Sequence, residues 1–209
     1  MVITDIKEGK KNKNRVNIYA DEEFVCALYL ETAVKYGIKK GLEVSRDDIV
    51  SMMQEDEFRY AFDTALKYIS YKMRSEKEVR DKLKKAEVSA EAEEHAISKM
   101  KELGYIDDAG YAEMYISELS ASFGKNAIEQ KLFMKGISKE IIRELLAGIE
   151  QRELAVSWAE KLFKKYFGDD KYKVKQKVFR AMMTRGFDFD DIKYAVARVS
   201  EQGDDYEEC

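Results

Sequence analysis

Apolar residues fall in this chain at helical spacing, and one such pattern returns twice. The stretch from Ser75 to Tyr111, SEKEVRDKLKKAEVSAEAEEHAISKMKELGYIDDAGY, sets it. Shifted ungapped by 49 positions, Val79, Leu83, Val88, Ser89, Ala96, Ile97 and Met100 fall on Ile128, Leu132, Ile137, Ser138, Leu145, Leu146 and Ile149. A further shift of 50 carries Ile128, Leu132, Gly136, Ile137, Ser138, Ile142, Leu145 and Ile149 onto Val178, Met182, Gly186, Phe187, Asp188, Ile192, Ala195 and Val199. The shared turn, an apolar residue followed by Ser or Asp, argues against coincidence. A period near 50 predicts stacked supersecondary units, each a helix pair that needs its neighbours to bury its apolar face.

Ahead of the repeats the period is that of a strand. Val2, Thr4 and Ile6 alternate with Ile3, Asp5 and Lys7, and Val16, Ile18 and Phe24 to Leu28 add β-branched and aromatic residues. Residues 1 to about 30 therefore predict two or three short antiparallel strands. Their first connection, Gly9 to Asn14, reads GKKNKN, and its lysines either form a solvated tip or meet phosphate.

A short helix from Glu31 ends at Gly37, and Ser45 with Asp48 makes a capping-box pattern. The helical sequence that follows, to about Met73, places Phe58, Phe62, Ala65, Leu66 and Ile69 on one face. Ser75 with Glu78 repeats the cap, with Val79 and Leu83 inward and Lys82, Lys84 and Lys85 outward; Ser89 caps the partner helix and Gly104 ends it. Either Asp107 or Asp108 caps the next helix, where its charge suits the N-terminal dipole.

The second unit uses Tyr111, Met114, Tyr115, Ile116 and Leu119, then Ile128 and Leu132, then Ile141, Ile142, Leu145 and Ile149. The third begins near Leu154, with Trp158, Leu162, Phe163 and Phe167 as a packing stripe. About six extra residues, DDKYKV, lengthen either a loop or a helix before Val178. The predicted organisation is a β-rich extension with a short helix over 1–50, helical repeats over 51–106, 107–152 and 153–201, and an acidic tail over 202–209.

Composition narrows the function. The chain is 45% apolar and 37% charged with no Pro, which suits long solvated helices. Its net charge of −4 excludes a uniformly basic nucleic-acid binder, so any such role must rest on local clustering. Clustering occurs from Lys161 to Arg185, where nine cations (Lys161, Lys164, Lys165, Lys171, Lys173, Lys175, Lys177, Arg180 and Arg185) face two acids. Lys173, Lys177 and Arg180 stand at i, i+4 and i+7, with Val174, Val178, Ala181 and Met182 turned inward, so they form an outer strip that either meets phosphates or is an ordinary solvated face. The acidic tail, EQGDDYEEC, is a potential competitor for that strip.

Catalytic chemistry is missing. His95 has no nucleophile near it in sequence, and Cys26 and Cys209 offer neither a disulfide framework nor metal spacing. There is no phosphate-binding Gly-rich loop and no nucleophile elbow. The reading is a non-enzymatic protein without cofactor or metal. No apolar run approaches the roughly 20 residues of a membrane span, and the N-terminus lacks the apolar stretch of a signal peptide. A cytoplasmic protein is expected.

The first unit, SEKEVRDKLKKAEVS, and the junction GYIDDAGYAEMY resemble the RecX family of regulatory proteins in its longer form with an N-terminal extension. Gly104, Tyr105, Ile106, Asp107, Asp108, Tyr111 and Ala112 stand as in the family motif, where they are mainly structural. The resemblance implies a mainly α fold, with three tandem three-helix units forming an elongated curved array after a small β-rich extension. It also implies a modulator of recombination, DNA repair and the SOS response that lies along the RecA filament on single-stranded DNA. Such a protein lowers ATP hydrolysis, strand exchange and co-protease activity. Where family members commonly carry an arginine-rich stretch and a Lys-Gly-Pro turn, this chain reads ISELSASFGKNAIEQK, with Gly124, Lys125 and Asn126 at the turn, which moves the expected DNA contact to the third unit. Two other readings are a direct DNA binder of helix-turn-helix type and a helical scaffold for another protein. The acidic or apolar starts AEAEEHA, KEIIREL and FDDIKYA disfavour the first of these.

Overall fold

The structure, a computed structural model, describes residues 1–10, 12–166, 168 and 170–204. The chain divides into two compact units, Met1–Ile106 and Asp107–Cys209. Among the described residues it is mainly helical, with ten helices and one three-stranded antiparallel sheet.

In the first unit, β1 (Ile3–Glu8), β2 (Arg15–Ala20) and β3 (Glu23–Tyr29) pair in that order. The strict alternation read from the sequence is broken by two bulges. The register slips between Ile3 and Asp5 on β1, and between Ile18 and Tyr19 on β2, where β3 supplies the extra residue. The first slip lets Ile3 and Ile6 both reach the core although they are three apart. That core joins Ile3, Val16, Ile18, Cys26 and Leu28 to Ala33, Val44, Ile49 and Met52. Cys26 is buried in it, and desolvation, followed by the Asp56 charge, pushes its thiol up to about 11.

A short helix, α1 (Leu30–Lys35), ends where Gly37 adopts a φ of +62°. The region to Met73 forms a single helix of 24 residues, α2 (Arg46–Ile69), and Ser45 and Asp48 make both capping-box bonds. Its first turns give Ile49 and Met52 to the sheet core; its later turns give Ala61 and Ala65, flanked by Phe58, Phe62 and Ile69, to the first helical core. Between them Asp56, 4% exposed, accepts from the Tyr29 amide at 2.6 Å and from the Arg15 guanidinium at 3.0 Å. This pair of a half-buried guanidinium and a buried carboxylate ties the sheet to the middle of α2.

In α3 (Glu76–Lys85), Ser75 and Glu78 repeat the capping box, with Val79 and Leu83 buried and Lys82, Lys84 and Lys85 exposed. Ser89 caps α4 (Ala90–Glu102), and Gly104 follows it with a φ of +71°. Arg80 fastens the two helices through Glu76 at 2.8 Å, Glu93 at 3.0 Å and Glu94 at 2.9 Å, and Lys101 meets Glu76 at 3.0 Å.

The second unit holds α5 (Asp108–Leu119), α6 (Lys125–Met134), α7 (Lys139–Ala147), α8 (Arg152–Lys165), α9 (Lys171–Thr184) and α10 (Phe189–Asp204). One core gathers Tyr111, Ala112, Ile116, Ile128, Leu132, Ile137, Ile142 and Leu146; another gathers Ala155, Ala159, Leu162, Val178, Met182, Phe187 and Ile192. Met114, expected in the first of these, is 41% exposed. Ala112 and Ile116 set the inward side of α5, and a residue two places from each falls on the opposite side. The extra residues of the third unit lengthen a helix, since α9 has 14 residues against 10 in α3 and in α6. Phe167, Cys209 and the tail beyond Asp204 lie outside the described residues.

Within this unit the α5–α6 turn rests on the α9–α10 turn. Gly124 donates its amide to Arg185 O at 2.9 Å, and Asn126 donates to Gly186 O at 3.1 Å. The Asn126 side chain also reaches Asp188 at 2.7 Å. Gln151, 3% exposed, accepts from the Lys125 amide at 2.6 Å and donates to Phe123 O at 3.3 Å.

Candidate functional site

The nine cations between Lys161 and Arg185 fall on α8, α9 and the turn after α9. Lys173, Lys177 and Arg180 are exposed along one side of α9, while Val174, Val178 and Met182 are buried and Ala181 is half-buried. Lys171 and Lys175 are exposed too, but each is two residues from Lys173 and so falls off that strip. On α8, Lys161, Lys164 and Lys165 are exposed and share a face at i, i+3 and i+4.

Two aromatic rings bring cations from different elements together. Lys161 Nζ lies 5.2 Å from the Trp158 ring centroid and the Arg185 guanidinium 4.2 Å from it. Lys165 and Lys177 each place Nζ 5.6 Å from the Tyr166 ring. The electron-rich faces offset the repulsion of gathering like charges, by about 0.5–1 kcal/mol for each exposed contact. Trp158 thus does more than the packing its spacing implied. Half-buried, it also donates Nε1 to Ala121 O at 3.3 Å, tying α8 to the end of α5.

Arg185 separates from the other eight. It is half-buried, its side chain is stacked, and its carbonyl receives Gly124. Its position is that of a fastener within the unit. Past Arg180, the strip runs one turn further to Thr184. There an open cleft of about 660 Å³ is lined by Phe133, Ile142, Met183 and Phe187 with Lys139. Phe133 is 57% exposed and Met183 48%, so the cleft offers apolar surface at the end of a row of cations. Such a surface suits a polyanion along α9 and an apolar side chain at its end.

The motif residues serve the fold. Gly104 supplies the positive φ, and Ile106 is buried in the first helical core; Tyr105 is 49% exposed. Asp107 caps α5 through the amides of Ala109 at 3.0 Å and Gly110 at 3.1 Å. Asp108 lies in the first turn, and Tyr111 and Ala112 are buried. His95 is exposed and stacked on Phe58 at 4.3 Å between centroids. No group of three or more His, Cys, Asp or Glu side chains is placed to hold a metal among the described residues. No described helix is long and apolar enough to cross a membrane.

A small antiparallel sheet, a long connecting helix and recurrent three-helix units define a helical-repeat protein with a β-rich N-terminal domain. Four family models match the sequence in chain order. They are the N-terminal domain of regulatory protein RecX over residues 1–45 and the first, second and third three-helix domains of RecX over 61–100, 107–146 and 150–196. Regulatory protein RecX of Clostridium perfringens (strain 13 / Type A) is 36% identical over 203 residues, covering 95% of this chain and 96% of the relative. That of Bacillus subtilis (strain 168) is 33% identical over 208 residues, covering 97% and 79%. A crystal structure of regulatory protein RecX superposes with a TM-score of 0.73 at 29% identity, covering 93% of this chain and 98% of the other. A crystal structure of RecX from Lactobacillus salivarius gives 0.66 at 30% identity, covering 70% and 98%. The chain belongs to the RecX family of regulatory proteins.

Proposed function

We propose that this chain binds RecA and its filament on single-stranded DNA and restrains it. It lowers ATP hydrolysis, strand exchange and co-protease activity without catalysing a reaction of its own. The observation that carries this reading is the match of all four RecX domains in order along the chain. The exposed cations of α8 and α9 supply the chemistry. Lys161, Lys164, Lys165, Lys171, Lys173, Lys175, Lys177 and Arg180 form the filament-facing surface, with DNA phosphates as the anions they meet. Arg185 supports that surface through Trp158. The second helical repeat, 107–152, whose Gly124 to Asn126 turn is engaged by Gln151, Arg185, Gly186 and Asp188, takes no direct part in DNA contact.

The test is RecA ATP hydrolysis on single-stranded DNA, titrated with this protein at two salt concentrations. The expected result is inhibition at fewer than one protein per RecA, weakened by added salt. Unchanged hydrolysis at equimolar protein would remove the reading.

A further inference from the structure

The solvent face of the N-terminal sheet carries a second arrangement of rings and cations, and the family matches give it no task. Strand register places Asp5 opposite Tyr19, Lys7 opposite Asn17, Tyr19 opposite Phe24, Asn17 opposite Ala27, and Arg15 opposite Tyr29. Partners in register share a face. Residues between them in the strands, Val16, Ile18, Cys26 and Leu28, fill the core on the other side. Tyr19 and Phe24 meet edge to face at 5.8 Å. Lys7 Nζ stands 4.7 Å from the Tyr19 ring, and the Arg15 guanidinium 4.8 Å from the Tyr29 ring. An open cleft of about 420 Å³ runs over this face to the β1–β2 hairpin, lined by Lys7, Lys10, Asn12, Arg15, Asn17 and Tyr19; the one acid at its edge is Glu8.

The charges are segregated. Lys7, Lys10, Lys13 and Arg15 cluster at the β1–β2 end, and Asp21, Glu22 and Glu23 at the β2–β3 end; between them Asp5 is met by Lys40 at 2.7 Å and by Lys7 at 3.5 Å. A polyanion is therefore held at the hairpin end. The hairpin is internally closed: Gly9 donates to Arg15 O at 2.7 Å, Arg15 to Asn12 O at 3.1 Å, and the Asn14 amide to Asn12 Oδ1 at 3.0 Å. Arg15 is anchored by the buried Asp56 and by Ala27 O at 2.7 Å. The cleft is thus lined by groups already held in place.

We propose that this face is a single-stranded nucleic-acid site, in which a base stacks on Tyr19 and the flanking phosphates lie on Lys7, Lys10 and Arg15. Rings with adjacent cations accept bases without regard to sequence, because every base has a π-face. Asn17 and Asn12 add amide donors and acceptors suited to base edges. An acidic peptide would use the cations and leave the ring and amides idle, whereas a nucleotide uses all three. On binding, the base takes the place Lys7 holds over the Tyr19 ring, and the ammonium moves to the adjoining phosphate. This site is separate in sequence from the α8–α9 surface, and it stands whether or not RecA is the partner.

The experiment uses the full chain and fluorescein-labelled oligothymidylate and oligouridylate of about twelve nucleotides, within the usual span of such sites, read by anisotropy at low salt. Tyr19→Ala is expected to weaken binding about 5- to 150-fold, the loss of one base stack. Tyr19→Phe keeps the ring and is expected to bind within about twofold of wild type. Lys7→Gln with Lys10→Gln, both at exposed positions, should lower the slope of log affinity against log salt by about 1.4. Photocrosslinks from a 5-iodouracil oligomer should fall on Tyr19 or its neighbour Phe24. A preference for one oligomer assigns DNA or RNA as the ligand, and equal binding assigns both. The proposal is overturned if neither oligomer binds. It is equally overturned if folded Tyr19→Ala and the double Lys variant bind as wild type, or if Lys173→Gln, Lys177→Gln and Arg180→Gln together abolish all binding.

Discussion

At the helix ends single side chains meet orphan backbone amides, and at one turn two glycines let backbones touch. Ser45, Ser75, Ser89, Asp107 and Ser138 all accept the bonds expected of a helix N-terminus, and Ser45 and Ser75 stand three places ahead of an acid that completes a capping box, a signal local enough to read from sequence. Gly124 and Gly186 were not legible as a pair, because the repeat aligns Gly186 with Gly136, not with Gly124. A Cβ on Gly124 would stand 2.2 Å from Gly186 O and 2.3 Å from the Phe187 amide nitrogen, both backbone atoms that cannot rotate away. Gly124→Ala is therefore expected to lower the stability of the second unit by about 1–3 kcal/mol, the usual range for overpacking. Gly148→Ala, whose Cβ meets nothing within 4 Å, should stay within about 0.5 kcal/mol of wild type. Urea midpoints of the two variants check this, and equal midpoints would mean the two turns separate readily.

At the scale of elements, the helices follow from their periods and caps, whereas the strands needed the fold. The bulge at the start of β1 puts Ile3 and Ile6 on one side, which no alternation rule predicts, since the extra residue is set by pairing with β2. Side-chain pairing between helices was equally silent in sequence. Arg80 of α3 reaches Glu93 and Glu94 of α4, and Lys101 of α4 reaches back to Glu76. Burial alone would push the Glu76 carboxyl up, but Lys101 and Arg80 outweigh it and hold it below the usual glutamate value. A carboxylate with a lowered folded pKa adds stability above its unfolded value, about 4.3, and loses it as pH falls through the folded value. The thermal midpoint should therefore drop between about pH 5 and pH 3. Glu76→Gln should be less stable than wild type at neutral pH and lose less on acidification. Parallel pH profiles for the two proteins would exclude this pair as a source of acid sensitivity.

Over the whole molecule, the order of units was legible because recurrence is a long-range signal, and the α9 strip because three positions four and three apart share a helix face. The rings that gather the cations were not, because periodicity marks Trp158 as apolar without saying that one side of it stays open. The chain carries 41 acids against 37 bases. Its net charge gives a polyanion no overall attraction, and beyond a Debye length of about 8–10 Å charges are screened, so attraction has to be local. The exposed strip on α9 is one place where it can arise. Replacing Lys173, Lys177 and Arg180 together by Gln should lower the slope of log affinity against log salt for the RecA filament on single-stranded DNA by about 2, the release of three counterions. The thermal midpoint should move little, because none of the three is buried and the contact of Lys177 with the Tyr166 ring is worth at most about 1 kcal/mol. Arg185→Ala should do the reverse, with a lower midpoint through the lost stack on Trp158 and a slope changed by less than one. If the triple variant keeps the wild-type slope while remaining folded, the α9 strip is a solvated face and the filament is held elsewhere on the chain. If it loses both slope and inhibition, the charge that matters for regulation is on α9, carried by a protein whose total charge opposes it.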